Sequence, residues 1–292
     1  MDLLEQTKNL CRLYDIKPAR SRGQNFLIEE KIYDDVVAAA DLRPDDRVLE
    51  VGPGLGFLTA KLAARARRVV AVEIDKKLVE ALKAGLVAKN IKNVEVVNEN
   101  VLNINQTSPQ PSPYQGEGEF KVVANLPYNI TSIFLRKFLE AGNKPELMVL
   151  MLQKEVAQRV AAEAGDMSLL AVSVQFYARP EIVEIVPKKY FWPEPEVDSV
   201  IIKIRPHPSP LLSKEREFFR LVKFGFSAKR KMLKNNLAAG FRLETAEAAA
   251  RIKQAGFNPK VRAQALSVGD WLKLLRFFVN YPAPRERRAL KS

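Results

Sequence analysis

The chain has 292 residues, of which 47% are apolar, and a formal net charge of +13; this length and composition are typical of a globular protein with one large domain and one smaller domain. A single cysteine, Cys11, and a single histidine, His207, exclude a disulfide framework, a zinc site and most cysteine- or histidine-based mechanisms. The N-terminus carries early acids where a secretory signal has an apolar core, and no apolar run is long enough to span a membrane. We therefore expect a cytoplasmic protein with no metal, and nothing in the sequence demands more than a monomer.

Short β-branched runs alternate with helical patterns through the first two thirds of the chain. This alternation predicts an α/β domain with a mainly parallel sheet covered on both faces. The last two strands follow without a clear helix between them, which predicts an antiparallel edge. The predicted strands are residues 47–51, 68–74, 94–98, 121–125, 147–152, 171–178 and 199–204, and the predicted helices are residues 29–40, 58–66, 76–89, 132–141 and 154–164.

The residue pattern of the sequence changes after residue 204. Residues 205–210, Arg-Pro-His-Pro-Ser-Pro, form a stiff proline-broken linker. Four helical patterns and no convincing strand follow, at residues 214–226, 229–238, 245–254 and 267–278. We therefore predict a large domain over residues 1–205 and a small helical domain over residues 206–292. Residues 106–119, rich in proline, glycine and serine, fit neither domain and receive no function.

The excess positive charge lies entirely in the last third of the chain. Residues 203–292 contain 21 basic and 6 acidic residues, whereas the other 202 residues contain 26 basic and 28 acidic residues. A basic region of this kind is expected where a polyanion binds, although charge alone does not exclude a merely soluble surface. The asymmetry favours a nucleic-acid partner for the helical domain.

A glycine-rich loop follows the first predicted strand, in the sequence Glu-Val-Gly-Pro-Gly-Leu-Gly that ends at Gly56. Glycines at this point let the backbone approach a ligand closely. The dinucleotide fingerprint requires its third glycine where this chain has Phe57. The tighter spacing, with Glu50 two residues before Gly52, instead resembles class I S-adenosylmethionine-dependent methyltransferases.

Three polar residues follow the second and third strands of this domain. Glu73 ends the second strand, where a carboxylate can accept hydrogen bonds from both ribose hydroxyls of an adenosine cofactor. Asp75 is its rival and is better placed to cap the helix that begins at Lys76. Asn100 follows the third strand, where its amide oxygen could accept a hydrogen bond from the adenine amine.

The sequence Asn125-Leu126-Pro127-Tyr128 follows the fourth strand and suits methylation of an exocyclic amine. The lone pair of the adenine amine is delocalised into the ring, so acceptors must hold its hydrogens while the nitrogen becomes tetrahedral. The Asn125 side chain and a backbone carbonyl fixed by Pro127 supply two acceptors. Tyr128 offers a face on which the base can stack. An ordinary turn after a strand is the alternative reading.

A proline-stiffened loop, Phe-Trp-Pro-Glu-Pro, begins at Phe191 just before the last strand. Its prolines could aim the Phe191 ring at the second face of the target base, and we predict this role for it. Trp192 is the competing candidate, and the third reading is that both rings cover the edge of the core.

These motifs together resemble the KsgA/RsmA family of ribosomal RNA adenine dimethyltransferases, which is related to the erythromycin-resistance rRNA methylases. The resemblance covers most of the chain and rests on the segments 23–27, 50–56, 72–75, 125–130, 153–159, 191–199, 226–233 and 262–267. It implies that S-adenosylmethionine is bound by Asn25, Leu27, Gly52, Glu73, Asn100 and Asn125. The family usually has Asp where this chain has Asn100.

The resemblance also implies the substrate, which composition and spacing do not. It implies two successive methyl transfers to each of two adjacent adenosines in the 3′-terminal hairpin of small-subunit rRNA, as part of ribosome biogenesis. The first rival is an erythromycin-resistance type enzyme acting on large-subunit rRNA, a group that often has isoleucine at the position of Leu126. The second is a non-catalytic assembly factor that keeps the fold, against which the intact Asn125 and Tyr128 argue.

Four basic residues at the start of the second helical pattern are predicted to contact RNA phosphates. They are Lys229, Arg230, Lys231 and Lys234. Helical spacing would spread the first three around the surface, so not all four need touch RNA.

Overall fold

The computed structural model of the protein describes residues 1–18, 24–104, 119–127, 130–207 and 214–278. Its internal contacts divide the chain into two compact units. The first unit comprises Met1–Gln158 and Ala178–Pro206, and the second comprises Arg159–Tyr177 and His207–Ser292. Across the described ranges, no helix has the length and apolar character needed to cross a membrane.

The first unit is a layered α/β structure. Its strands and helices are α1 (Leu3–Leu13), β1 (Phe26–Leu27), α2 (Glu30–Ala39), β2 (Arg47–Val51), α3 (Phe57–Ala63), β3 (Arg68–Glu73), α4 (Lys76–Ala88), β4 (Val94–Asn98), β5 (Lys121–Asn125), α5 (Thr131–Leu139), β6 (Leu147–Gln153), most of α6 (Lys154–Val160), β7 (Ala178–Val186), β8 (Phe191–Trp192) and β9 (Ser199–Pro206).

Seven of these strands form one sheet, in the order β4-β3-β2-β5-β6-β9-β7. Strands β2 to β6 pair in parallel, whereas β9 is antiparallel to both β6 and β7. The predicted α/β fold, with a mainly parallel sheet and an antiparallel edge, is confirmed. A separate two-stranded ribbon pairs β1 with β8 in antiparallel register.

The central strands are almost continuously apolar because both faces of the sheet are covered. All residues of β3 except Arg68, and all residues of β6 except Gln153, are buried. Such runs are expected for strands packed between two layers of helices. Because β2, β3 and β5 are neighbours and parallel, the residues that follow them meet at one edge of the sheet, where ligands of such folds bind.

The predicted strand at residues 171–178 is wrong. Residues Leu169–Tyr177 form a helix, α7, and strand β7 begins at Ala178. The apolar run is compatible with either structure, and tertiary packing selects the helix. Phe176 stacks on Phe218 with ring centroids 4.4 Å apart, and Ser168 Oγ accepts a hydrogen bond from the Ala171 amide at 3.1 Å.

The second unit is helical. After α7 it contains α8 (Glu215–Gly225), α9 (Leu233–Phe241), α10 (Thr245–Gln254) and α11 (Val268–Leu275). Gly225 lies so close to Trp271 that any Cβ at residue 225 would overlap the indole ring. The second unit also includes Arg159–Tyr177, which differs from the continuous domain expected over residues 1–205. The reason is the helix α7, whose aromatic face packs on α8.

The second predicted helix of this unit begins later than expected. Residues 228–231 form a turn, closed by a 3.1 Å hydrogen bond from the Lys231 amide to the Ala228 carbonyl, and α9 starts at Leu233. The Asn236 side-chain amide donates to the carbonyls of Gly225, at 2.6 Å, and Ala228, at 3.0 Å. This buried asparagine therefore holds the turn and explains why it does not continue the helix.

Candidate active site

The glycine-rich loop after β2 adopts a backbone that requires its glycines. Gly52, Gly54 and Gly56 have φ angles of 67°, 56° and 83°, in the left-handed region. A Cβ on Gly56 would also overlap the Leu82 side chain, and one on Gly54 would lie 3.3 Å from the Phe26 ring. The loop therefore lies directly against its neighbours and leaves bare backbone facing a cavity.

Glu73 is at the end of β3 and connects that strand to the loop. Its carboxylate accepts hydrogen bonds from the Gly54 amide at 3.3 Å and the Asp75 amide at 3.0 Å. Burial raises the pKa of Glu73, and these backbone hydrogen bonds oppose the rise. Asp75 caps α4 by accepting from the amides of Lys77 and Leu78, as the sequence predicted. Of these two acids, Glu73 and not Asp75 lines the cavity.

Asn125 ends β5 on the same cavity wall. Its backbone carbonyl is 3.6 Å from the position that a Cβ of Gly52 would occupy. The next amide, that of Leu126, donates to the Met151 carbonyl at 3.3 Å, and the Leu126 side chain is buried. This anchoring fixes the segment up to Pro127, which also lines the cavity. The predicted stacking residue Tyr128 lies outside the described residues.

Strand β1 and the residue before it form another part of the cavity wall. Asn25, Phe26 and Leu27 all line it. The Tyr33 hydroxyl donates a 2.8 Å hydrogen bond to the Leu27 carbonyl, which fixes this short strand to α2. The structure therefore brings five of the six predicted cofactor residues together around one cavity, namely Asn25, Leu27, Gly52, Glu73 and Asn125.

Glu50 is a cavity residue to which the sequence reasoning gave no role. It is 1% exposed, and its carboxylate oxygens make no hydrogen bond of ordinary geometry within the described residues. Burial, with a smaller contribution from the Glu73 carboxylate, raises its pKa to about 8, and the neighbouring Thr59 hydroxyl opposes the rise. An unpaired buried carboxylate costs free energy unless a cation neutralises it. The signal in the sequence was an acid two residues before the first glycine, inside an otherwise apolar strand.

These residues fit S-adenosylmethionine, which carries a sulfonium and an ammonium cation as well as an adenosine. Glu50 would face positive charge, and Glu73 has lone pairs left for the ribose hydroxyls. The loop around Gly52 and Gly54 offers the close backbone approach that such a ligand needs.

Asn100 is not on the wall of the cavity. It lies in the turn after β4, where its side-chain oxygen accepts a 2.9 Å hydrogen bond from the Leu102 amide. Its predicted contact with the adenine amine therefore needs the second lone pair of that oxygen. Nearby, the Asn98 side-chain amide donates to the carbonyls of Glu73, at 2.9 Å, and Ile74, at 3.2 Å, and so supports the loop after β3.

Phe191 is in the core and not on the cavity wall. Its ring is 3% exposed, and the residue pairs with Leu27 in the β1–β8 ribbon. It packs in a cluster that includes Met151 and Ile201. Stacking on a base would require this ribbon to move, so in the described structure the alternative reading, a ring that covers the core edge, accounts for Phe191.

The predicted RNA-contacting residues are all in the second unit. Lys229, Arg230 and Lys231 are exposed in the turn before α9, and Lys234 is half-exposed in its first helical turn. Among the described residues, none of the four makes an ion pair with an acid. The residues that the structure describes, in both units, include no group of three metal-ligating side chains that could bind a metal ion.

A parallel sheet of this order, with a glycine loop after its first strand and a carboxylate at the end of the next, defines a class I S-adenosylmethionine-dependent methyltransferase. The sequence model of the family described as ribosomal RNA adenine dimethylase matches residues 17–280. The chain belongs to that family, and its methyl donor is S-adenosylmethionine.

Relatives and solved structures agree with this membership. The ribosomal RNA small subunit methyltransferase A of Dehalococcoides mccartyi strain BAV1 is 43% identical over 282 residues, which cover 96% of this chain and 95% of that protein. A dimethyladenosine transferase from Plasmodium falciparum has a TM-score of 0.76 and 27% identity, covering 88% of this chain and 98% of that one. The 23S rRNA methyltransferase ErmE has a TM-score of 0.71 and 31% identity, covering 88% and 100%.

Proposed function

We propose that this enzyme dimethylates two adjacent adenosines in the 3′-terminal hairpin of small-subunit (16S) rRNA during ribosome biogenesis. The observation that carries the chemistry is the position of Asn125, at the end of β5 and against the glycine loop. The choice of the small subunit as the substrate is supported by near full-length similarity to a relative that is named for the small subunit. As part of this proposal the enzyme acts as a cytoplasmic monomer and uses no metal.

The first step assigned to this chain is activation of the amine. The Asn125 side-chain oxygen and the backbone carbonyl before Pro127 accept the two N6 hydrogens. Accepting both hydrogens pulls the nitrogen out of conjugation with the ring and aims its lone pair into the cavity. The cofactor supplies an electrophilic methyl group with a neutral thioether as its leaving group. The nitrogen is cationic and acidic once the methyl group has transferred, and it loses its extra proton to water. The chain therefore needs no strong base, which agrees with its single histidine and single cysteine.

Stacking and charge would hold the substrate. Tyr128 would hold one face of the base, and stacking of this kind contributes about 1–3 kcal/mol per base. The turn that contains Lys229, Arg230 and Lys231 would bind phosphates of the surrounding RNA. After the first transfer the base must remain or return, because the product amine still carries one hydrogen for a second round.

The erythromycin-resistance reading predicts the same chemistry on another subunit, and the likeness to ErmE keeps it as the natural comparison. Purified enzyme with labelled cofactor, supplied separately with unmethylated small-subunit and large-subunit particles, tests the choice. Label in small-subunit RNA supports the proposal, and label confined to large-subunit RNA overturns it. Label in neither, with cofactor binding intact, would favour the assembly-factor reading.

A further inference from the structure

A groove beside the cofactor cavity has the composition of a nucleotide-binding surface. Its volume is about 460 Å³, within the range of about 300–1,000 Å³ that is common for small-ligand sites. The groove lies between α1 and β8 in the first unit. Its lining consists of Lys8, Cys11, Arg12, Asp15, Ile16, Lys17 and Trp192.

The charge of this groove favours an anion. Asp15 is its single acid, and the Lys77 ammonium holds that carboxylate at 2.7 Å. Lys8 and Arg12 form no ion pair within the described ranges, and the Arg12 guanidinium donates only to the neutral Asn9 oxygen, at 3.2 Å. Burial raises the pKa of the Cys11 thiol to about 11, so the floor of the groove carries no negative charge at neutral pH.

The groove also has an aromatic surface. Trp192 is half-exposed, and the Lys8 ammonium lies 5.9 Å from its ring centroid. A partly exposed indole beside cations is a typical platform for an unpaired base, because each base can stack and its phosphate can bind the cations.

The position of the groove links it to the reaction centre. Trp192 pairs directly with Phe26 across the β1–β8 ribbon, and the Phe26 side chain lines the cofactor cavity. Trp192 and Phe26 also pack against one apolar cluster with Cys11 and Leu55. A nucleotide in the groove would therefore be a near neighbour of one whose base enters the cavity.

We propose that this groove binds an unpaired nucleotide of the rRNA substrate that flanks the target adenosine, with Trp192 stacking on its base and Lys8, Arg12 and Lys17 contacting its phosphates. The proposal rests on the proposed function, since it assumes an RNA substrate whose target base leaves its stack. It gives the first unit an RNA contact of its own, separate from the basic turn of the helical unit.

Tryptophan fluorescence tests the stacking directly, because the chain has only two tryptophans and Trp271 is fully buried. With the cofactor product bound, a single-stranded RNA hexamer should quench the emission of Trp192. A hexamer of the same length with abasic riboses should not. Trp192→Phe should lose the quenching signal while keeping RNA affinity within about threefold, and Trp192→Ala should weaken affinity by about 5- to 100-fold.

The charges are tested with a matched pair of double variants. Lys8→Gln with Arg12→Gln should shift the quenching midpoint to higher hexamer concentration and reduce its salt dependence. Lys83→Gln with Lys92→Gln removes the same charge from exposed positions of the same unit outside the groove, and should change neither. Equal effects of the two pairs, or no quenching of the wild-type protein by the hexamer, would overturn the proposal.

Failure here is distinguishable from failure of the proposed function. If the groove is not an RNA contact, all of these variants keep the wild-type KM for rRNA particles while methylation proceeds. If the proposed function is wrong, the wild-type enzyme itself does not methylate small-subunit rRNA, whatever the hexamer does.

Discussion

The Asn125 carbonyl lies 3.6 Å from the point where a Cβ of Gly52 would stand. This close approach joins the end of β5, which carries the amine-binding residue, to the first glycine of the cofactor loop. It shows that the two segments are in van der Waals contact at one sheet edge, where a methyl donor held by one can meet an acceptor base held by the other.

Replacing Asn125 tests whether its side chain activates the target amine. Asn125→Ala should lower kcat for methyl transfer by about 10²–10³-fold, the usual cost of removing one positioned polar group from a transition state. The Kd for S-adenosylmethionine should change little, because the backbone of residue 125 remains. Single-turnover methylation and calorimetric cofactor binding measure the two quantities, and unchanged turnover would contradict the assigned role.

Glu50 should make cofactor binding depend on pH. Burial raises its pKa to about 8 in the ligand-free protein, so it is mostly protonated at pH 7 and must ionise to pair with a cation. Binding should therefore release a proton below pH 8, and affinity should rise with pH up to that value, by at most about tenfold per unit.

Glu50→Gln is the matched control for that pH dependence, and titration of the ligand itself cancels in the comparison. Calorimetry at pH 7 in two buffers of different ionisation enthalpy counts the protons. The wild-type protein should release more protons than the Gln variant and bind more tightly. Equal proton release from both proteins would show that Glu50 does not pair with the cofactor.

Two glycines of the first unit should respond oppositely to alanine. Gly56→Ala places a Cβ onto Leu82 at a left-handed φ of 83°, and should destabilise the protein by at least about 1 kcal/mol. Gly85→Ala lies within α4 with open space around it, and should stabilise by about 0.5–1 kcal/mol. Urea unfolding measures both, and a neutral Gly56→Ala would contradict the loop geometry.

The basic turn of the helical unit should contribute to RNA binding through counterion release. Replacing Lys229, Arg230, Lys231 and Lys234 with glutamine should make the negative slope of log K against log salt shallower. Each residue that contacts a phosphate should reduce the steepness of that slope by about 0.7–0.9. Lys253→Gln with Lys260→Gln, at two exposed positions of the same unit, is the control, and an equal effect per removed charge would mean that the turn is only a solvated surface.

Much of the first unit could be predicted from the sequence because its signals are local. A β-branched run followed by glycines at fixed spacing leaves few alternatives, and the Asp75 cap follows from its place before Lys76. The strand prediction for residues 171–178 was wrong because a continuous apolar run has no periodicity by which a strand can be told from a buried helix. The helix is selected by contacts with Phe218, which is 42 positions away from Phe176 in the chain.

The sequence predicted which residues meet at the site but not how each of them is packed. The residues at the ends of β2, β3 and β5 meet because parallel strands bring them to one edge, which a strand pattern shows. The burial of Phe191 and of the Glu50 carboxylate depends on packing across the chain. The hydrogen bond that the Leu102 amide donates to the Asn100 side chain is local, and it belongs to a turn whose exact geometry the strand pattern did not show. The sequence marks Glu50 as an acid inside an apolar strand, but no pattern in it shows how deeply Glu50 and Phe191 are buried.

The central claim is that the enzyme dimethylates small-subunit rRNA, and mapping modified adenosines in cells with and without the gene tests it most directly. The account predicts two adjacent N6-dimethyladenosines near the 3′ end of small-subunit rRNA that disappear when the gene is removed and return with the wild-type gene but not with Asn125→Ala. Unchanged small-subunit modification, or a loss confined to large-subunit rRNA, would contradict it.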